Sequence, residues 1–139
     1  MPQKFYLDTC IWRDYFEDRK DGIRPLGEFA FQLLKNCEKH GCNVLYSNLV
    51  VQELRAHYSK ERVAEVFSSF KHLLVEVQIS NEQISEARKI VSSTQGTHLK
   101  DALHAILARD NCAVMLTRDK HFDALVHLVE VSKLEDIHF

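Results

Sequence analysis

The hydrophobic positions of this chain change period repeatedly. Lys4, Phe5, Tyr6, Leu7, Asp8 and Thr9 form a short aromatic and aliphatic run with no helical spacing, which predicts a buried strand stopping at Asp8. Ile11, Trp12, Tyr15 and Phe16 then recur at i, i+1, i+4 and i+5, the stripe of a short amphipathic helix. A polar loop over 18–24 with Gly22 leads to a second helix, opened by Pro25, carrying Leu26, Phe29, Ala30, Leu33, Leu34 and Cys37 on one face, and closed by Gly41. The alternation continues with a strand over 43–47 and a helix capped by the Ser47-Asn48 pair, whose apolar arc is Leu49, Val50 and Leu54. Ser59 opens a helix with Val63, Val66, Phe67 and Phe70, a strand follows over 73–77, and a capping box of Ser80 and Gln83 starts a helix with Ile84, Ala87, Ile90 and Val91.

The next helix, introduced over 97–101, is apolar almost all round through Ala102, Leu103, Ala105, Ile106, Leu107 and Ala108, so it belongs in the interior. Lys100, Asp101 and His104 make its narrow polar arc. A strand over 112–117 ends at Thr117, Arg118 and Asp119, a turn or short helix takes 120–122, and residues 126–131 supply a last strand. Strands alternating with helices predict an α/β fold with a mainly parallel sheet, and the absence of a repeat or linker predicts a single domain over 1–139.

Composition narrows the function classes. A formal net charge of −2 gives no global basic field, so any contact with nucleic acid must be local or metal-mediated. Cys10, Cys37, Cys42 and Cys112 lack C-x-x-C spacing and read as reduced, mostly buried thiols rather than a zinc site or redox pair. With no leader and no apolar run of membrane-spanning length, a cytoplasmic protein without membrane contact is expected. Walker A, G-x-G-x-x-G, G-x-S-x-G and H-E-x-x-H motifs are missing.

Four carboxylates stand at the edges of apolar elements. Asp8 ends the first strand and is also suited to cap the following helix. Glu53 falls inside the apolar arc of its helix, where a charge needs either a partner such as Arg55 or a cation. Asp101 lies near a helix N-terminus, which by itself favours an anion, and Asp119 follows the fourth strand. In open parallel sheets ligands bind beyond the carboxyl ends of the strands, where strand order switches. Carboxylates meeting there repel by roughly 3 kcal/mol per pair at about 5 Å and an effective dielectric of about 20. A divalent cation removes that penalty, and oxygen ligation favours Mg²⁺ or Mn²⁺.

The Phe-Tyr-Leu-Asp8-Thr9 start, Glu53 in Ser-Asn-Leu-Val-Val-Gln-Glu-Leu, the Leu-Lys-Asp101-Ala-Leu-His helix start and the Leu-Thr117-Arg118-Asp119-Lys-His-Phe turn together resemble a PIN domain over essentially the whole chain. The resemblance implies a three-layer α/β/α fold and a metal-dependent ribonuclease, many such proteins being VapC-type toxins of prokaryotic toxin–antitoxin pairs. It further implies that Asp8, Glu53, Asp101 and Asp119 form the acidic site with Thr117 orienting it. Asp8, Asp101 and Asp119 would contact the metal directly or through water, and Glu53 would orient the nucleophilic water or complete the outer shell. Cys10 replaces the usual serine, His121 stands where another acid is common, and His104 replaces an apolar residue.

Arg13, Lys100, Arg118 and Lys120 are candidate phosphate contacts, and His121 is the histidine expected to touch substrate. Besides RNA, the expected partners are an antitoxin and a second copy of the chain, through Trp12, Phe16, Phe29 and Phe31 where these are not core. A phosphoacceptor domain is the competing class, but residues 44–47 supply no acid on the second strand. A catalytically silent PIN-like module that binds RNA or protein is the other alternative.

Overall fold

The computed structural model describes residues 3–139. Its centre is a sheet of five parallel strands in the order β3-β2-β1-β4-β5, formed by β1 (Lys4–Leu7), β2 (Asn43–Tyr46), β3 (Leu74–Glu76), β4 (Val114–Leu116) and β5 (Val131–Ser132). Helices α1 (Thr9–Glu17), α2 (Leu26–His40), α3 (Asn48–Arg55), α4 (Lys60–Ser69), α5 (Asn81–Ser93) and α6 (Leu99–Asp110) flank it, giving the expected α/β/α arrangement. Parallel strands buried on both faces require apolar side chains on both, and Phe5, Tyr6, Leu7, Met115 and Leu116 are all almost wholly buried. None of the described helices is long and apolar enough to cross a membrane.

The chain first builds outward from β1 to β2 and β3, then crosses back to add β4 and β5 on the other side. Strand order therefore switches between β1 and β4, which pair with Leu7 opposite Leu116. The backbone N–H of Asp8 extends that pairing by donating to the Leu116 carbonyl at 2.9 Å. Asp8 and Thr117 thus leave the sheet side by side.

Local signals mostly form as their chemistry predicts. The Ser80–Gln83 capping box is complete, with Gln83 N–H on Ser80 Oγ and Ser80 N–H on Gln83 Oε1. Two expectations are corrected. The last strand is not 126–131: residues 120–125 form a 3-10 turn, Val126 is 60% exposed, and pairing begins only at Val131. Phe122, Leu125 and Val129 are the buried positions, and their spacing of three and four suits coiled backbone rather than an extended strand. The second correction is Ser47, which stands at the N-cap of α3 but makes no capping bond; its hydroxyl goes to Tyr6 instead.

Of the aromatic residues on the first two helices, Trp12 and Phe16 are core. Trp12 packs on Phe67 and Phe16 on Tyr58, at centroid separations of 4.8 and 4.6 Å, which leaves Phe31 as the exposed one. All four cysteines are free, Cys37 and Cys42 buried and Cys112 exposed.

One ion pair ties the β4 exit to α1. The Arg118 guanidinium donates through Nε and Nη2 to the two carboxylate oxygens of Asp14, both at 2.7 Å, and Arg19 approaches the same carboxylate at 3.7 Å. Asp14 is 2% exposed, whereas Arg118 is a third exposed. The two deletions are therefore unequal: removing Arg118 leaves a buried carboxylate with only the more distant Arg19, and removing Asp14 leaves a cation that can turn to water. Arg118→Met is expected to lower stability by about 3 kcal/mol, and Asp14→Asn by clearly less, as measured by urea unfolding.

Candidate functional site

The carboxyl ends of β1 and β4 and the N-terminal part of α6 bring the predicted acids to one crevice. Asp8 is nearly buried and is held through both oxygens. Oδ1 accepts from the Thr9 N–H at 2.8 Å, capping α1, while Oδ2 accepts from Thr117 Oγ1 at 2.9 Å and from the Cys10 thiol at 3.1 Å. The helix-cap role and the site role thus belong to the same carboxylate. Burial, followed by the Asp8 charge, raises the Cys10 thiol well above its ordinary range. Cys10 is thus a proton-bearing donor where serine is usual. Thr117 Oγ1 in turn accepts from the Asp119 N–H at 3.0 Å, so this hydroxyl joins the two strand-end aspartates.

Glu53 reaches the crevice from α3. Its Oε1 accepts from Thr9 Oγ1 at 3.2 Å and lies 2.7 Å from His104 Nε2. Burial pushes the Glu53 carboxyl up, but the hydrogen bond from His104, with help from Thr9 and Lys100, outweighs it and holds the group below its ordinary value. Arg55, the partner anticipated from sequence, makes no hydrogen bond or ion pair with it among the described residues. His104 supplies the partner instead.

His104 gains from the structure what the sequence did not show, its partners. Within the polar arc it shares with Lys100 and Asp101 it is the buried member: it is 1% exposed, with Nδ1 2.7 Å from the Tyr6 hydroxyl. Tyr6 also meets Ser47 Oγ at 2.8 Å, and burial raises its phenol far above the ordinary tyrosine range. Tyr6 and His104 both carry a signal in the sequence. Tyr6 lies two residues before Asp8 on an extended strand, and His104 one helical turn after Asp101.

Asp101 differs from the other acids in having no hydrogen-bond partner among the described residues. Its burial, reinforced by the charges of Asp8 and Asp119, raises its carboxyl above the ordinary value. One ligand atom each from Asp101, Asp119 and His121 lies within 4.8 Å of the others. Asp119 Oδ1 accepts the His121 N–H at 2.9 Å and sits 3.1 Å from His121 Nδ1. An unpartnered, half-buried carboxylate beside a second carboxylate and an imidazole is a donor set that fits a divalent cation.

The candidate phosphate contacts occupy different positions. Lys100 and Lys120 are exposed, Arg13 pairs with Glu17 at 3.3 Å, and Arg118 is turned onto Asp14. An open cleft of about 670 Å³ runs from Thr117 and Asp119 past Lys120 to Lys133.

The raised Asp101 value has a definite sign. A carboxyl whose folded value exceeds its unfolded value favours folding below the unfolded value, and that contribution is lost as pH rises through the folded one. Without metal, Asp101→Asn is therefore expected to melt higher than the parent protein at neutral pH. The gap should close as pH falls below about 4, read by thermal unfolding in EDTA.

A family model described as PIN domain matches residues 5–128. Among solved structures, VapBC2 from Rickettsia felis, bound to a DNA fragment from its promoter, matches with a TM-score of 0.68 at 16% identity over 94% of this chain and 98% of the other. VapBC-1 from nontypeable Haemophilus influenzae gives 0.65 at 15% identity, covering 96% and 100%. FitAcB from Neisseria gonorrhoeae gives 0.60 at 18%, covering 96% and 99%. No curated protein matches the chain by sequence. At these identities the structures speak for the fold alone, while the family match spans most of the sequence and agrees with the parallel sheet and its acidic crevice. The chain belongs to the PIN-domain family.

Proposed function

We propose that this chain, acting as a single domain over 1–139, is a Mg²⁺- or Mn²⁺-dependent endoribonuclease that hydrolyses RNA phosphodiester bonds, and that it is the toxin of a toxin–antitoxin pair. The observation that carries the enzymatic reading is Asp101: an unpaired, half-buried carboxylate within ligand reach of Asp119 and His121 and under repulsion from Asp8. An acidic crevice of this kind accepts a polyanion only when its charge is offset, which passive binding of RNA would not achieve.

Asp8, Asp101 and Asp119 are the residues we assign to hold the metal. The bound cation would supply Lewis-acid activation of a water and neutralise charge on the phosphoryl oxygens. The protein side of the mechanism falls to residues already held in place. Thr117 keeps Asp8 and Asp119 at a fixed separation, and Glu53, ionised and tethered by one oxygen, is placed to orient the nucleophilic water. Lys100, Lys120 and His121 remain the candidates for contact with the RNA backbone. Arg118 already has two hydrogen bonds to Asp14, and we give it a positioning role at the crevice rim.

The toxin reading is supported by the VapBC and FitAcB structures, whose fold this chain shares. Phe31 and the open cleft beside it, about 460 Å³ and lined also by Tyr15, Arg62 and Val66, form the surface we assign to a protein partner, an antitoxin or a second copy of the chain.

Cleavage of a mixed single-stranded and structured RNA pool in Mg²⁺, Mn²⁺ or EDTA tests the enzyme. Metal-dependent products are expected, with activity falling at least about 100-fold in Asp8→Asn and Asp101→Asn, the scale of losing preorganised charge stabilisation. Cleavage unchanged in both variants would reject the assigned site. Mn²⁺ binding without cleavage of any RNA would favour a silent binding module.

A further inference from the structure

Four buried or half-buried polar groups run in series behind the crevice: Ser47 Oγ, the Tyr6 hydroxyl, the two nitrogens of His104, and Glu53 Oε1, linked at 2.8, 2.7 and 2.7 Å. Tyr6 and Ser47 are wholly buried and His104 almost so, on three separate elements. A buried imidazole on an otherwise apolar helix costs free energy unless both nitrogens are satisfied, and an aliphatic side chain would fill the same space without that requirement. Ser47 likewise gives up the capping bond its position invites. The chain of donors ends on one atom of one carboxylate.

The direction of the hydrogen bonds follows from the end groups. An ionised carboxylate only accepts, so His104 Nε2 carries the proton donated to Glu53. In the neutral ring Nδ1 then accepts from the Tyr6 hydroxyl, and Tyr6 accepts from Ser47. With Thr9 as a second donor, Oε1 of Glu53 is fully occupied. Oε2 makes no hydrogen bond among the described residues, yet it is not one of the buried unsatisfied atoms, so it reaches solvent.

We infer that Ser47, Tyr6 and His104 form a positioning chain that fixes Glu53 through Oε1 and presents Oε2 as its single open acceptor for a water. His104 is thus a positioning residue, one that acts on the reaction through Glu53 without touching substrate. The catalytic part of this inference rests on the ribonuclease reading above, and the geometric part does not.

The test uses the full-length protein and two readouts. Long-range ¹H–¹⁵N spectra of the metal-free protein are expected to show His104 with its proton on Nε2, and Glu53→Gln is expected to shift that resonance. A proton on Nδ1 alone, or a His104 signal unmoved by Glu53→Gln, would overturn the inference whether or not RNA is cleaved. In kinetics, His104→Leu is expected to lower kcat about 10–100-fold, as loss of an outer-shell partner does, with KM and Mn²⁺ affinity unchanged. His104→Gln, whose amide can still donate to Glu53, is expected to recover most of kcat. Tyr6→Phe, which keeps the ring, should give an intermediate loss. Equal kcat in all variants, or a loss in His104→Leu that His104→Gln shares in full, would overturn the positioning role. A wild-type protein that cleaves no RNA would instead reject the ribonuclease reading, leaving the spectra to decide the geometry.

Discussion

Everything at the crevice is referred to the hydrogen bonds of Asp8. One of its oxygens closes the N-terminus of α1, and the other grips Thr117 across the β1–β4 pair, so a single side chain fixes a helix to a sheet and one half of the site to the other. Hydrogen bonds from groups that cannot move away meet part of the charge of this nearly buried carboxylate. The open side of the crevice has no such solution.

Two kinds of acid result. Asp8, Asp14 and Glu53 are each matched by neighbours suited to their burial: a backbone N–H and a hydroxyl, a guanidinium, and an imidazole with a hydroxyl. Asp101 has no hydrogen-bond partner among the described residues and faces two like charges. The contrast separates acids already supplied with hydrogen bonds by the fold from the one it leaves wanting a counter-charge.

Much of this was legible in the residues. The order of elements, the capping box and the placing of Asp8 and Asp119 beyond the strand ends follow from periodicity and cap chemistry, which are local. Residues 126–131 misled because Val126, Leu128, Val129 and Val131 resemble a strand in composition, while their true spacing serves a compact turn after Phe122. His104 was hidden for a different reason. On an interior helix apolar almost all round, a histidine needs partners for both nitrogens, and Tyr6 and Glu53, which supply them, come from distant parts of the chain. Ser47 shows the same limit: its neighbours in sequence advertise a cap, and its neighbour in space takes the hydroxyl away. Nothing local distinguishes a residue that serves the helix it begins from one that serves a strand 41 positions earlier.

The order in which the strands join has a consequence for how the protein comes into being. β1 lies in the middle of the sheet, yet its partner β4 comes from the last quarter of the chain, and the Asp8–Thr117 bond spans 109 positions. While the chain is being made, everything through α6 can emerge with β1 still an unpaired edge, and open edges of this kind invite pairing with other chains. Arrival of β4 covers that edge and brings Thr117 to Asp8 in the same event. The pairing that places β4 in the sheet is thus also the one that sets Thr117 beside Asp8.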